Sequence, residues 1–107
     1  MRPLPAPTAV VADDERLMRD QIVARLKQAW PELVIVGEAS HGREAIDLVR
    51  SLRPDVVFLD ISMPGWDGLV TAERIATACP AAAIVMLTVS DDQDKLLAAF
   101  KAGARAY

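Results

Sequence analysis

Cysteine occurs once among the 107 residues, at Cys79, so neither an intrachain disulfide nor a cysteine-built metal centre is available. A reducing compartment is expected. Histidine is equally scarce: His41 stands alone, without a partner at zinc or triad spacing, which leaves it a loop or cap residue. The five glycines form neither G-x-G-x-x-G nor G-x-x-x-x-G-K-[ST], which argues against a dinucleotide fold and a P-loop enzyme. Basic charge is in deficit, with twelve Lys and Arg against fifteen Asp and Glu and a net charge of −3. Nothing therefore steers the chain towards phosphate backbones or anionic lipid, and neither nucleic acid nor membrane is an expected partner of this domain itself. No stretch approaches the ~18 apolar residues of a membrane span, and MRPLPAPTAV lacks the basic-then-apolar order of a secretory signal. A soluble, cytoplasmic protein is expected.

What is abundant is apolar residue: 52% hydrophobic against 25% charged, too apolar for a disordered chain and enough for one core. Apolar runs of strand length alternate with amphipathic runs of helix length, the pattern of βα units building a parallel sheet. Strands are predicted at Thr8–Asp13, Leu33–Glu38, Val56–Asp60 and Ala83–Thr88, all read as interior because they show little polar alternation. Helices are predicted at Glu15–Trp30 (stripe Met18, Ile22, Leu26, Ala29/Trp30), Arg43–Leu52 and Leu69–Cys79, stopped by Pro31, Pro54 and Pro80. Ser90 and Gln93 read as a capping box opening a fourth helix, Asp91–Ala102, closed by Gly103. Ala104–Tyr107 opens a fifth strand, and residues 1–7 with their three prolines form a flexible arm before a domain at 8–107.

In an open parallel sheet, ligands sit beyond the carboxyl ends of the strands, near the point where strand order reverses. Asp13 and Asp14 follow the first strand, Asp60 ends the third, and Thr88 ends the fourth. Were strands one and three neighbours, as in the flavodoxin-like order 2-1-3-4-5, three carboxylates would converge. At ~5 Å spacing each pair repels by about 3 kcal/mol at an effective dielectric near 20, so the cluster calls for a cation, and Mg²⁺ suits hard oxygen donors best. Each residue also has a plainer reading. Asp13 and Asp14 taken alone serve equally well as helix caps, Asp60 as a turn residue and Thr88 as an ordinary strand residue. The coincidence of all three acids favours a metal site. Asp91, Asp92 and Asp94 lack the spacing of a calcium loop and read as first-turn helix acids. Cys79, Trp30 and Trp66 read as packing residues, although Trp66 is near the acids in sequence.

The Asp13-Asp14 pair, LDISMPGWDG around Asp60, MLTVS carrying Thr88 and KAGARAY ending in Tyr107 together resemble the response-regulator receiver domain, most closely receivers of the NarL/FixJ type. The resemblance spans nearly the whole chain. It implies an α/β, flavodoxin-like doubly wound parallel sheet of order 2-1-3-4(-5), with Asp60 as phosphoacceptor. Mg²⁺ would be held by Asp13, Asp14, Asp60 and the backbone carbonyl of Ser62. Thr88 would donate a hydrogen bond to the phosphoryl group and act with Tyr107 as a switch around the fourth helix. A sensor histidine kinase would be the donor, the output a DNA-binding helix-turn-helix domain outside this sequence, and no multiple-turnover enzyme activity is implied.

The family's lysine would stand three residues past Tyr107, and most of strand five and all of helix five fall outside the sequence as well. We therefore expect a shortened piece of a longer regulator that self-associates, as a homodimer or by element exchange. His41 and Trp66 depart from the family's common Asn or Asp cap and aliphatic residue. Two rival readings remain: a receiver-like interaction module that is never phosphorylated, for which the lysine is the argument, and an aspartate-nucleophile phosphatase. The phosphatase ranks last, because its D-x-D motif needs an acid where Ser62 stands.

Overall fold

A computed structural model describes residues 6–60 and 68–87 of the chain. The elements run β1 (Thr8–Ala12), α1 (Arg16–Ala29), β2 (Val34–Ala39), α2 (Gly42–Leu52), β3 (Val56–Asp60), α3 (Gly68–Ala78) and β4 (Ala83–Leu87). All strand pairs are parallel and the sheet order is β2-β1-β3-β4, the expected doubly wound order over the described strands. The third strand falls where predicted, and the other strands and the helices agree to within a residue at each end. The capping box at Ser90, the fourth helix, the fifth strand, Ser62, Trp66, Thr88 and Tyr107 lie outside the described residues.

Alternation along the two central strands decides which helix covers which face. Ala9, Val11, Val56 and Phe58 are buried with Val85, Leu87 and Leu26 of α1, and Ile22, Val23 and Trp30 pack around them. Ala12, Val57 and Leu59 face the other way, against Ala45, Ile46 and Val49 of α2 and against Ile75 and Cys79 at α3. A β-branched, two-sided apolar strand is what this sandwich requires. Cys79 is thus a packing residue, as its apolar setting predicted.

Two expectations need correction. The second strand is not interior: β2 lies at one edge of the sheet of described strands, opposite β4, with Val34 46% and Val36 37% exposed, because β1 uses its two sides for β2 and β3. A register shift between Ala9 and Val10 leaves Val36 as an extra residue against β1, a bulge of the kind that makes an edge a poor template for further pairing. In α1, Met18 and Ala29 of the predicted stripe are exposed, and Val23 joins Ile22, Leu26 and Trp30 instead.

At the amino-terminal end of the sheet, Thr8 and Asp55 tie β1 to β3. The Thr8 N–H donates to Asp55 Oδ2 (2.8 Å), the Asp55 N–H donates to the Thr8 carbonyl (2.9 Å), and the Ala83 N–H donates to the Asp55 carbonyl (2.9 Å). This clamp sets the register that brings Ala12 beside Leu59 at the opposite rim. Pro7, placed in the arm from sequence, already gives its carbonyl to the Val34 N–H at 2.9 Å.

Arg53 closes α2 in the left-handed region (φ 47°, ψ 61°), a conformation in which a Cβ is disfavoured and glycine is the common residue. Arg53→Gly should therefore stabilise the domain by about 0.5–1 kcal/mol, the relief of backbone strain exceeding glycine's extra freedom in the unfolded chain. A higher urea midpoint at unchanged slope is the expected readout.

Candidate functional site

Beyond the carboxyl end of β1 the chain turns at Asp13 before α1 begins. Asp13 is 4% exposed and held on two sides. Its N–H donates to the Ala39 carbonyl at the end of β2 (3.0 Å), and its Oδ1 accepts the Glu15 N–H (2.9 Å). The second bond is the aspartate turn that opens the helix, so the plain cap reading of Asp13 is partly right: the cap residue itself is Glu15, and its own side chain makes no capping bond. Asp14 is exposed beside it, and Asp60 ends β3, half-buried.

Because β1 and β3 are neighbours, the acids from residues 13, 14 and 60 meet at the point where strand order reverses. One carboxylate oxygen from each lies within 4.8 Å of the others. Burial raises the Asp13 pKa above its ordinary value. The hydrogen bond from Glu15 works against that shift, while the charges of Asp60, Asp14 and Glu15 reinforce it. The donor set is entirely hard oxygen at a spacing one small cation can span, which fits Mg²⁺ and not a thiolate- or imidazole-seeking metal.

A carboxyl group whose folded-state pKa is raised binds its proton more tightly when folded. Its stabilising contribution is full below the unfolded value and is lost as pH rises through the folded one. At neutral pH without metal, ionised Asp13 thus costs stability. Asp13→Asn keeps an Oδ1 for the Glu15 N–H and removes the charge, so it should raise the metal-free melting temperature, by about 4–8 °C for each kcal/mol relieved. Calorimetry at neutral and acid pH checks this: the advantage should shrink as pH falls and vanish below the ordinary aspartate range.

His41, read from its isolation as a loop or cap residue, is the cap of α2. Its Nδ1 accepts the Glu44 N–H (3.1 Å), and Glu44 Oε1 accepts the Ser40 N–H (2.7 Å), closing the start of α2 reciprocally. The residues that sequence reasoning missed are Arg19 and Glu38. Arg19 Nη1 donates to the Asp13 carbonyl (2.8 Å), and its Nε pairs with Glu38 Oε1 (3.2 Å). The available signal was an acid ending an otherwise apolar strand, at the same rim as Asp13, with an arginine one turn into the next helix. Among the described residues, no helix is long and apolar enough to cross a membrane.

Comparison with known proteins agrees with this fold. Residues 9–107 match the family model described as "Response regulator receiver domain". The nitrate/nitrite response regulator protein NarL of Escherichia coli (strain K12) is 35% identical over 100 residues, covering 94% of this chain and 46% of NarL. The chain thus spans about half the length of that relative. Among solved structures, a LuxR-family two-component response regulator from Aurantimonas sp. SI85-9A1 superposes with a TM-score of 0.72 at 31% identity, covering 95% of this chain and 72% of that one. The signal receiver domain of the putative response regulator NarL from Mycobacterium tuberculosis gives a TM-score of 0.72 at 29% identity, covering 96% and 82%.

Proposed function

This chain belongs to the response regulator receiver domain family, with NarL- and LuxR-type regulators among its relatives, and from that premise we propose that Asp60 accepts a phosphoryl group from a sensor histidine kinase. The observation that carries the proposal is the convergence of three carboxylates within 4.8 Å at the carboxyl rim of the sheet. Asp13, Asp14, Asp60 and the Ser62 carbonyl would hold Mg²⁺. When bound, the ion offsets the negative charge on both the carboxylate and the phosphoryl oxygens.

In the transfer, an Asp60 carboxylate oxygen forms a bond to phosphorus as the phosphorus–nitrogen bond of the kinase phosphohistidine breaks. The bonding pair leaves on the imidazole nitrogen, which takes up a proton, and an aspartyl phosphate remains. The two core clusters hold β1 and β3 rigid beneath the site, so Asp60 is oriented before the donor arrives. Thr88 then donates its hydroxyl to a phosphoryl oxygen, a charge-assisted bond of about 1.5–3 kcal/mol that biases a two-state surface through Tyr107. The readout is a DNA-binding output in a longer parent acting in the cytoplasm. Receiver domains are generally signalling domains without turnover of their own, and that is the role assigned here.

The test is mass spectrometry of the chain, with and without a C-terminal extension carrying the family's lysine, after incubation with a small acyl phosphate and Mg²⁺. One phosphoryl adduct on the extended form, lost on chelation and labile to hydroxylamine as acyl phosphates are, is expected. No adduct on either form would sink the proposal in favour of a silent interaction module, and turnover of many phosphomonoesters would favour a phosphatase.

A further inference from the structure

The Arg19 guanidinium reaches the only stretch of backbone that carries a buried acid of the cluster. Its Nη1 donates to the Asp13 carbonyl (2.8 Å) while its Nε is anchored on Glu38 Oε1 (3.2 Å), and its side chain is only 16% exposed. The Asp13 N–H is meanwhile held by the Ala39 carbonyl, the residue after Glu38. Both backbone polar groups of Asp13 are therefore fastened to the last two residues of β2, the N–H directly and the carbonyl through Arg19. Neither Arg19 nor Glu38 is among the acids that meet at the site.

We propose that Arg19 is a positioning residue for the cation site: it fixes the turn after β1 so that the Asp13 carboxylate stays aimed at Asp60 instead of relaxing away from it. The proposal rests on the metal-site reading above and deepens it. The physical need follows from the repulsion within the cluster. Three ionised carboxylates drive one another apart when no cation is bound, and the strain falls on the turn carrying Asp13 and Asp14, which lies outside the sheet, whereas Asp60 belongs to a central strand. A forked, charge-assisted clamp resists that opening and keeps the site formed before the ion arrives. Glu38, 42% exposed, serves as the anchor that holds the guanidinium plane in place.

The sign of the effect separates this role from its alternatives. On charge alone, removing a cation from the rim should tighten Mg²⁺ binding; if Arg19 only helped the domain fold, affinity in the folded state would not change. A positioning role predicts the opposite of the first and more than the second. Equilibrium Mg²⁺ titration followed by the amide shifts of Asp13 and Asp60 reports affinity and confirms folding in one experiment. Arg19→Met should bind Mg²⁺ about 10–100-fold more weakly than wild type, the usual cost of losing a partner that orients a ligand. Arg19→Lys, which keeps the charge and loses the fork, should fall between. Glu38→Gln keeps an acceptor for Nε and should stay within about threefold of wild type, because an exposed charge is largely screened by salt.

Equal or tighter binding by Arg19→Met would overturn the proposal, as would wild-type affinity in Arg19→Lys if the Met variant did not fold. Asp60→Asn is the control for the underlying reading. If it leaves Mg²⁺ affinity unchanged, the metal site itself is wrong and the role of Arg19 falls with it. If Asp60→Asn abolishes binding while Arg19→Met does not weaken it, only the positioning role is lost.

Discussion

Asp60→Asn should abolish the phosphoryl adduct altogether while leaving the protein folded and more resistant to heat. Asparagine has nearly the same shape, so β3 and its packing are not disturbed, but its neutral amide oxygen is a poor nucleophile for phosphorus. The same change removes one of three charges whose oxygens lie within 4.8 Å of one another, and each pair near 5 Å costs about 3 kcal/mol at an effective dielectric near 20. Loss of chemistry should therefore be accompanied by a gain in melting temperature without metal. That pairing is the diagnostic result. An adduct persisting at wild-type level would mean that another residue is the acceptor, and a lost adduct with a lower melting temperature would mean that the variant is simply damaged.

Phe58→Ala should have the largest effect on stability. Among the described residues Phe58 is the bulkiest fully buried side chain, 0% exposed, in a central strand and on the face covered by α1. Truncation removes the ring from the cluster it shares with Leu26, Val11 and Val85 and leaves a cavity that two flanking strands prevent from collapsing. The expected cost is about 3–5 kcal/mol, against a total of about 5–15 kcal/mol for an ordinary domain. The urea midpoint should fall steeply or the cooperative transition disappear at 37 °C, whereas Phe58→Leu should cost less than about half as much. Because Phe58 lies two residues before Asp60 on the same strand, the variant should also lose Mg²⁺ affinity under any condition that melts β3.

The strand Val56–Asp60 is recovered residue for residue because four consecutive apolar residues end at a charge and are preceded by Pro54, all local signals. The helices are recovered within a residue for the same reason, with Pro31, Pro54 and Pro80 acting on their own neighbourhoods. The candidate acids were also readable, since they follow two apolar strands, the first and the third, and the reversal rule limited where they could meet. The position of β2 was not: an apolar strand looks the same at an edge as in the middle until its neighbours are known. Arg19 and Glu38, 19 residues apart, and Thr8 and Asp55, 47 apart, carry no mark of their pairing in the intervening chain.

The order of residues alone thus determined the alternation of strands and helices and which carboxylates were candidates. The tertiary structure alone decided that Asp13 is buried with a raised pKa, that three acids share one rim, and that an arginine clamps the turn between them. The division has a physical cause. Periodicity and helix stops are written in neighbouring residues, whereas desolvation, Coulomb repulsion and strand register depend on distances through space that no stretch of neighbouring residues encodes.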